Sequence, residues 1–129
     1  MMNWIVAGLL ASAAAFAANR FVYRVWRDVV LLGPVPLLEE VAKTMAAQML
    51  GASILYTHVV FGLTEAILDW RGRRRGLPAA VSALLAHSIF GLLTVAVARS
   101  TGNLGAGIVA AFLGHAVWNA VMLFRSVKR

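Results

Sequence analysis

Cysteine is absent from this chain, so neither a disulfide framework nor a thiolate metal site can be built. Charge is scarce too. Asp, Glu, Lys and Arg make up 13% of the 129 residues, and only five of these are acids, against a 61% hydrophobic share and a mean hydropathy of +0.81. That balance excludes an ordinary water-soluble domain of this length and points to a bilayer as solvent. The long apolar runs also lack polar–apolar alternation. This excludes a closed barrel and leaves helices, which satisfy their own backbone in lipid. One membrane domain is expected over 1–129, with an anchor and interfacial segment at 1–35 and a core at 36–125.

The formal charge of +7 is clustered. Arg20, Arg24 and Arg27 form one group, Arg71, Arg73, Arg74 and Arg75 a second, and Arg125, Lys128 and Arg129 a third. Each borders an apolar run, as positive-inside topology signals do. No aromatic residue interleaves the Arg71 to Arg75 run as a stacking platform would, so nucleic acid is not an expected partner. The first apolar run, Asn3 to Asn19, is followed rather than preceded by arginines. It reads as an anchor with its N-terminus outside, although Ala15-Phe16-Ala17 resembles a signal-peptidase site.

Residues Phe21 to Gly33 mix arginines with Val, Trp and Tyr and suit a helix extension or interfacial segment. Pro34 and Pro36 mark a break, with Pro36 placed to open the next helix. A single helix from Leu37 to Asp69 would be about 50 Å long against a bilayer core of about 30 Å, so two helices are expected, reversing at Gly51-Ala52-Ser53. Two more spans follow, Pro78 to Ala98 and Leu104 to Phe124, joined at Ser100 to Asn103. The predicted architecture is an all-α polytopic transmembrane bundle of five spans. Its N-terminus is outside and its C-terminus inside, with the three basic clusters cytoplasmic and Arg99 on the other face. Gly8 with Ser12, and Gly107 with Ala111 and Gly114, offer small faces for close packing. No internal repeat is expected.

Within these spans sit Glu39, Glu40, Lys43, His58, Glu65, His87 and His115, and intramembrane ionisable groups mark function by default. Counted from the cytoplasmic boundaries, Glu39, Glu40, Glu65, His87, His115 and Asn119 fall in the same half of the bundle. His58, beside Tyr56, lies toward the outer end and reads as interfacial. Each residue also has a structural reading. First-turn acids complement a helix dipole, and Lys43 sits at i+4 from Glu39 and i+3 from Glu40, where a local pair forms. Glu65 can reach for the Arg71 cluster, and His87, or His115 with Asn119, can be interhelical hydrogen-bond partners. Together, carboxylates and histidines at one depth supply a general base, a general acid and polarising groups, and they also match metal ligands.

Glu39-Glu40-Val41-Ala42-Lys43, Phe61-Gly62-Leu63-Thr64-Glu65, His87 with Gly91, and His115-Ala116-Val117-Trp118-Asn119 resemble, in order, the four motifs of the PrsW-type intramembrane proteases. These belong with the type II CAAX prenyl endopeptidases in one superfamily. The likeness covers Pro36 to Phe124, and Lys43 and Glu65 favour the PrsW side. The resemblance implies a multi-pass endopeptidase of a bacterial or archaeal plasma membrane, active toward the cytoplasm on a membrane-anchored protein or peptide. It implies Glu39 as general base, Glu40 oriented by Lys43, Glu65 or His87 completing proton transfer, and His115 with Asn119 facing the oxyanion; spacing alone does not separate Glu39 from Glu40. Phe61 is a supporting residue. Glu39, Glu65, His87 and His115 are the candidate ligands of a divalent metal such as zinc, or manage a water without one. A homo-oligomer is one way for five short spans to enclose a cavity. Two other classes fit the residues: a non-catalytic scaffold, in which isosteric changes disturb assembly only, and a small proton or cation carrier, which needs ion flux and a polar path to the outer face.

Overall fold

Helix is the only regular structure among the described residues, and it breaks where proline and glycine break it. A computed structural model of the chain describes residues 2–26, 32–71 and 76–127; Arg27, Arg73, Arg74, Arg75, Lys128 and Arg129 of the basic clusters lie outside the described residues. The helices are α1 (Asn3–Trp26), α2 (Pro34–Met49), α3 (Ile54–Arg71), α4 (Gly76–Thr101) and α5 (Leu104–Val127).

Helix α2 opens two residues earlier than expected, at Pro34, because a proline in the first turn forfeits no intrahelical hydrogen bond. No acid therefore lies in the first turn. Glu39 and Glu40 sit one turn deeper, where the helix dipole gives them less support. The reversal falls where expected, between Met49 and Ile54, with Gly51 at φ +58°. Residues with a Cβ rarely take that left-handed conformation. The α4–α5 turn is tighter than expected. Ser100 and Thr101 remain helical, and the chain turns on Gly102 at φ +66°, after which the Asn103 side chain accepts a hydrogen bond from the Ala106 amide at 3.2 Å.

Among the described residues, three stretches are long and apolar enough to cross a membrane: Asn3–Val22, Gly76–Thr101 and Leu104–Phe124. Helix α2, with 16 residues, spans about 24 Å, and its Glu39, Glu40 and Lys43 dilute its hydropathy. Glu65, Asp69 and Arg71 do the same for α3. The burial pattern is inverted relative to a water-soluble bundle. Leu9, Phe16, Leu85, Ile89, Leu113 and Val117 are exposed, whereas Lys43, His58, Glu40, Thr44, Thr57 and Thr94 are among the largest fully buried side chains. Such a surface is suited to lipid.

Asn3 Nδ2 donates to the Leu50 carbonyl at 3.0 Å and Asn19 Nδ2 to Glu39 at 2.7 Å, so α1 runs antiparallel to α2 and parallel to α3. The exposed Arg20, Arg24 and Arg71 consequently share one end of the bundle. Small residues set the closest approaches. A Cβ at Gly8 would stand 2.5 Å from Val60 Cβ, and one at Gly107 would stand 2.5 Å from the Thr94 carbonyl oxygen and 3.1 Å from Ala98 Cβ. Ala at position 107 would gain about 1 kcal/mol in helix propensity. Backbone cannot yield as a side-chain tip does, and overpacking costs about 1–3 kcal/mol. Gly107→Ala should therefore lower the thermal midpoint of the purified protein, and a raised midpoint would contradict this α4–α5 contact.

Candidate functional site

Lys43 lies at the centre of a polar cluster to which four helices contribute. The i, i+1, i+4 spacing on α2 puts Glu39, Glu40 and Lys43 toward the bundle interior, where Lys43 and Glu40 are fully buried. The Lys43 ammonium has three neighbours: Glu40 Oε1 at 2.5 Å, His87 Nδ1 at 3.0 Å and the Phe61 ring, its centroid 4.6 Å away. An ammonium only donates, so His87 Nδ1 accepts and the ring carries its proton on Nε2. That Nε2–H donates to Glu65 Oε2 at 2.5 Å.

The imidazole of His115 completes the arrangement from α5. Its Nδ1 lies 2.8 Å from Glu40 Oε1, the oxygen that Lys43 also holds. A carboxylate accepts, so Nδ1 is the donor and Nε2 is left with a lone pair, 3.8 Å from Glu39 Oε2. Glu39 is fixed on its other oxygen by Asn19. Phe90 stacks on the His115 ring at 4.8 Å, and Phe61 meets His87 edge-on at 4.9 Å. These contacts hold both imidazoles between aromatic walls.

The structure thus brings Glu39, Glu40, Lys43, Phe61, Glu65, His87 and His115 into one cluster. Glu65 turns to His87 rather than toward Arg71. Asn119 lines a cavity of about 100 Å³ with Glu65, His87 and His115. A second cavity, of about 400 Å³, runs between α1 and α3 over Leu9, Ala13, Phe16 and Leu68 and ends at Asn19, Glu39 and Glu65. Glu65, with 44% of its side chain exposed, belongs to both walls.

The expectation for His58 is overturned. His58 is not interfacial: it is fully buried, with Nδ1 3.7 Å from Glu40 Oε2. It lies in the N-terminal part of α3, but its side chain points into the bundle while Tyr56 points out. Asn19 was not anticipated either, since only the packing of α1 on α2 brings it to Glu39.

A short internal repeat underlies the α3–α4 pair. His58-Val-Val-Phe-Gly-Leu-Thr-Glu65 and His87-Ser-Ile-Phe-Gly-Leu-Leu-Thr94 share His, Phe, Gly and Leu at matching places. Each glycine seats the other helix's histidine. A Cβ at Gly62 would stand 2.9 Å from His87 Cβ, and one at Gly91 2.7 Å from His58 Cβ. Where one copy ends in Glu65, beside His87, the other ends in the fully buried Thr94.

The donor set also suits a metal. One ligand atom each from Glu39, His87 and His115 lie within 4.8 Å of one another, and two imidazoles with a carboxylate are a zinc-binding combination. Both His87 nitrogens already make hydrogen bonds, so a metal would displace either Lys43 or Glu65 from that ring. Comparison of the chain with models of protein families, with curated proteins and with solved structures yields no match.

Proposed function

We propose that this chain is an intramembrane endopeptidase that hydrolyses a peptide bond of a membrane-associated substrate with a water activated by Glu39. The observation that carries the reading is the line Glu40, His115, Glu39. A buried carboxylate orients an imidazole at 2.8 Å, and that imidazole presents its free nitrogen 3.8 Å from a second carboxylate. A water between His115 Nε2 and Glu39 Oε2 is held by both, and Glu39 takes its proton as the oxygen attacks the carbonyl carbon. The carbonyl becomes an oxyanion, which the Asn119 amide stabilises from the polar cavity it shares with His115. As the C–N bond breaks, Glu39 returns that proton to the leaving nitrogen, and Glu65, held by His87, assists the transfer. Lys43 holds Glu40 in its role as orienting group and fixes the His87 tautomer.

The two cavities suit the two reactants. The apolar groove between α1 and α3 takes substrate from lipid, and the smaller polar cavity admits water. In this reading all five helices lie in the bilayer, with the N-terminus outside and the shared arginine end cytoplasmic. The test is cleavage of membrane-anchored reporter proteins by the purified chain in liposomes, scored by new termini in mass spectrometry. New termini that disappear with Glu39→Gln support the proposal, and identical termini from both proteins overturn it.

In one variant Glu39, His87 and His115 would hold zinc, and the bound ion would supply acidification of the same water. Metal analysis and a chelator separate the two. Activity that survives chelation in a metal-free preparation places the work on Glu39 and His115. Activity lost to the chelator and restored by zinc assigns it to the metal.

A further inference from the structure

Glu40 is held by one oxygen only. Lys43 and His115 both bind Oε1, while Oε2 is fully enclosed and has no hydrogen-bond partner. Apart from Asn19 Oδ1 on α1, three more buried polar atoms among the described residues share this condition: Thr44 Oγ1, His58 Nδ1 and His58 Nε2. Their residues are among the most deeply buried in the bundle.

The Glu40 and His58 atoms are neighbours, and helical register puts Thr44 at a similar level. His58 Nδ1 is 3.7 Å from Glu40 Oε2, too far for a direct hydrogen bond. Thr44 follows Glu40 by one turn on the same face of α2. It stands five residues before Met49, and His58 four residues after Ile54, so counting from the reversal puts both about 6–8 Å below the turn. The behaviour of Thr44 is informative. Ser12, Thr57, Thr64, Ser88, Thr94 and Thr101 each donate to the carbonyl four residues back, but Thr44 does not. A hydroxyl in a dry helix interface that forgoes this local partner needs another one.

We propose that Glu40 Oε2, Thr44 Oγ1 and His58 enclose ordered water in a closed inner chamber on the far side of Lys43 from Glu65. Buried waters typically make about three hydrogen bonds to groups that would otherwise go unsatisfied, and Glu40, Thr44 and His58 offer that number. The water accepts from or donates to the His58 ring, donates to Oε2 and bonds the Thr44 hydroxyl. The short repeat explains the position of the chamber. The two copies put one histidine on each side of the Lys43–Glu40 pair, His87 toward the open cavities and His58 toward the chamber. This inference does not depend on the chain being a protease.

Thr44→Val separates the alternatives by sign. If water is bound, valine removes one of its partners and the thermal midpoint of the full chain in detergent falls by several degrees, while Thr44→Ser stays near the parent. If the space is dry, valine replaces an unsatisfied hydroxyl with an isosteric methyl and the midpoint rises or holds, which overturns the proposal. His58→Phe supplies the second arm. Sharing a water makes Thr44→Val and His58→Phe non-additive in a double-mutant cycle, and strictly additive losses overturn it. Should His58→Phe fail to fold, the histidine side-chain N–H signals of the 15N-labelled parent decide. A through-space contact from the His58 ring to long-lived water supports the chamber, and a direct bond from that ring to Glu40 with no water contact rejects it.

Discussion

Replacing Glu39 by glutamine is expected to remove cleavage of a membrane-anchored reporter while leaving the bundle folded. The amide keeps the size of the carboxyl group and can still accept the Asn19 hydrogen bond through its oxygen. It cannot take a proton from water. General-base catalysis contributes about 10²- to 10⁴-fold, so the residual single-turnover rate should be about one hundredth to one ten-thousandth of the parent's. Equal thermal midpoints of parent and variant would assign the loss to chemistry. A variant that cleaves at the parent rate would move the base elsewhere. Parent and variant that both fail to cleave any reporter, yet differ in assembly, would favour a scaffold.

The second large effect concerns stability. Lys43→Met should cost about 3–5 kcal/mol in denaturant unfolding from mixed micelles, because it strands the Glu40 charge at a site with no solvent access. His115 would remain as a hydrogen-bond donor to the same oxygen, but it brings no fixed positive charge. Adding Glu40→Gln to Lys43→Met should recover much of the loss, since two neutral side chains of similar volume need no counter-ion. A single variant as stable as the parent would show that the ammonium is not the partner the geometry makes it.

Much of this site was legible before any coordinates. Glu39, Glu40 and Lys43 stand at spacings that share a helix face whatever the tertiary fold, and the depths of Glu65, His87 and His115 follow from counting residues to the basic borders. What counting cannot supply is azimuth. His58 and Tyr56 differ by two residues and therefore point to different sides of α3, one wholly buried and the other 54% exposed. Depth alone placed them together. Asn19 was hidden for another reason, because its partner is 20 residues away across a break, and only helix packing makes them neighbours. The paired His-x-x-Phe-Gly segments were readable but short. Their meaning emerges when α3 and α4 lie antiparallel and each glycine is found under the opposite imidazole. Helix starts at Pro34 and Gly76 were each missed by two residues, since prolines at 36 and 78 are tolerated inside a first turn.

The hydrogen bond from His115 to Glu40 joins residues 75 positions apart, whereas Lys43 reaches the same oxygen from three positions away. This difference orders events during synthesis. When α2 first leaves the ribosome, α4 and α5 do not yet exist, and a lone carboxylate would keep it at the aqueous border. In the proposed topology the nearby ammonium lets that helix enter the bilayer with the Glu40 charge already matched within one turn. The imidazoles arrive later and convert a locally neutral pair into a lattice that ties four helices together.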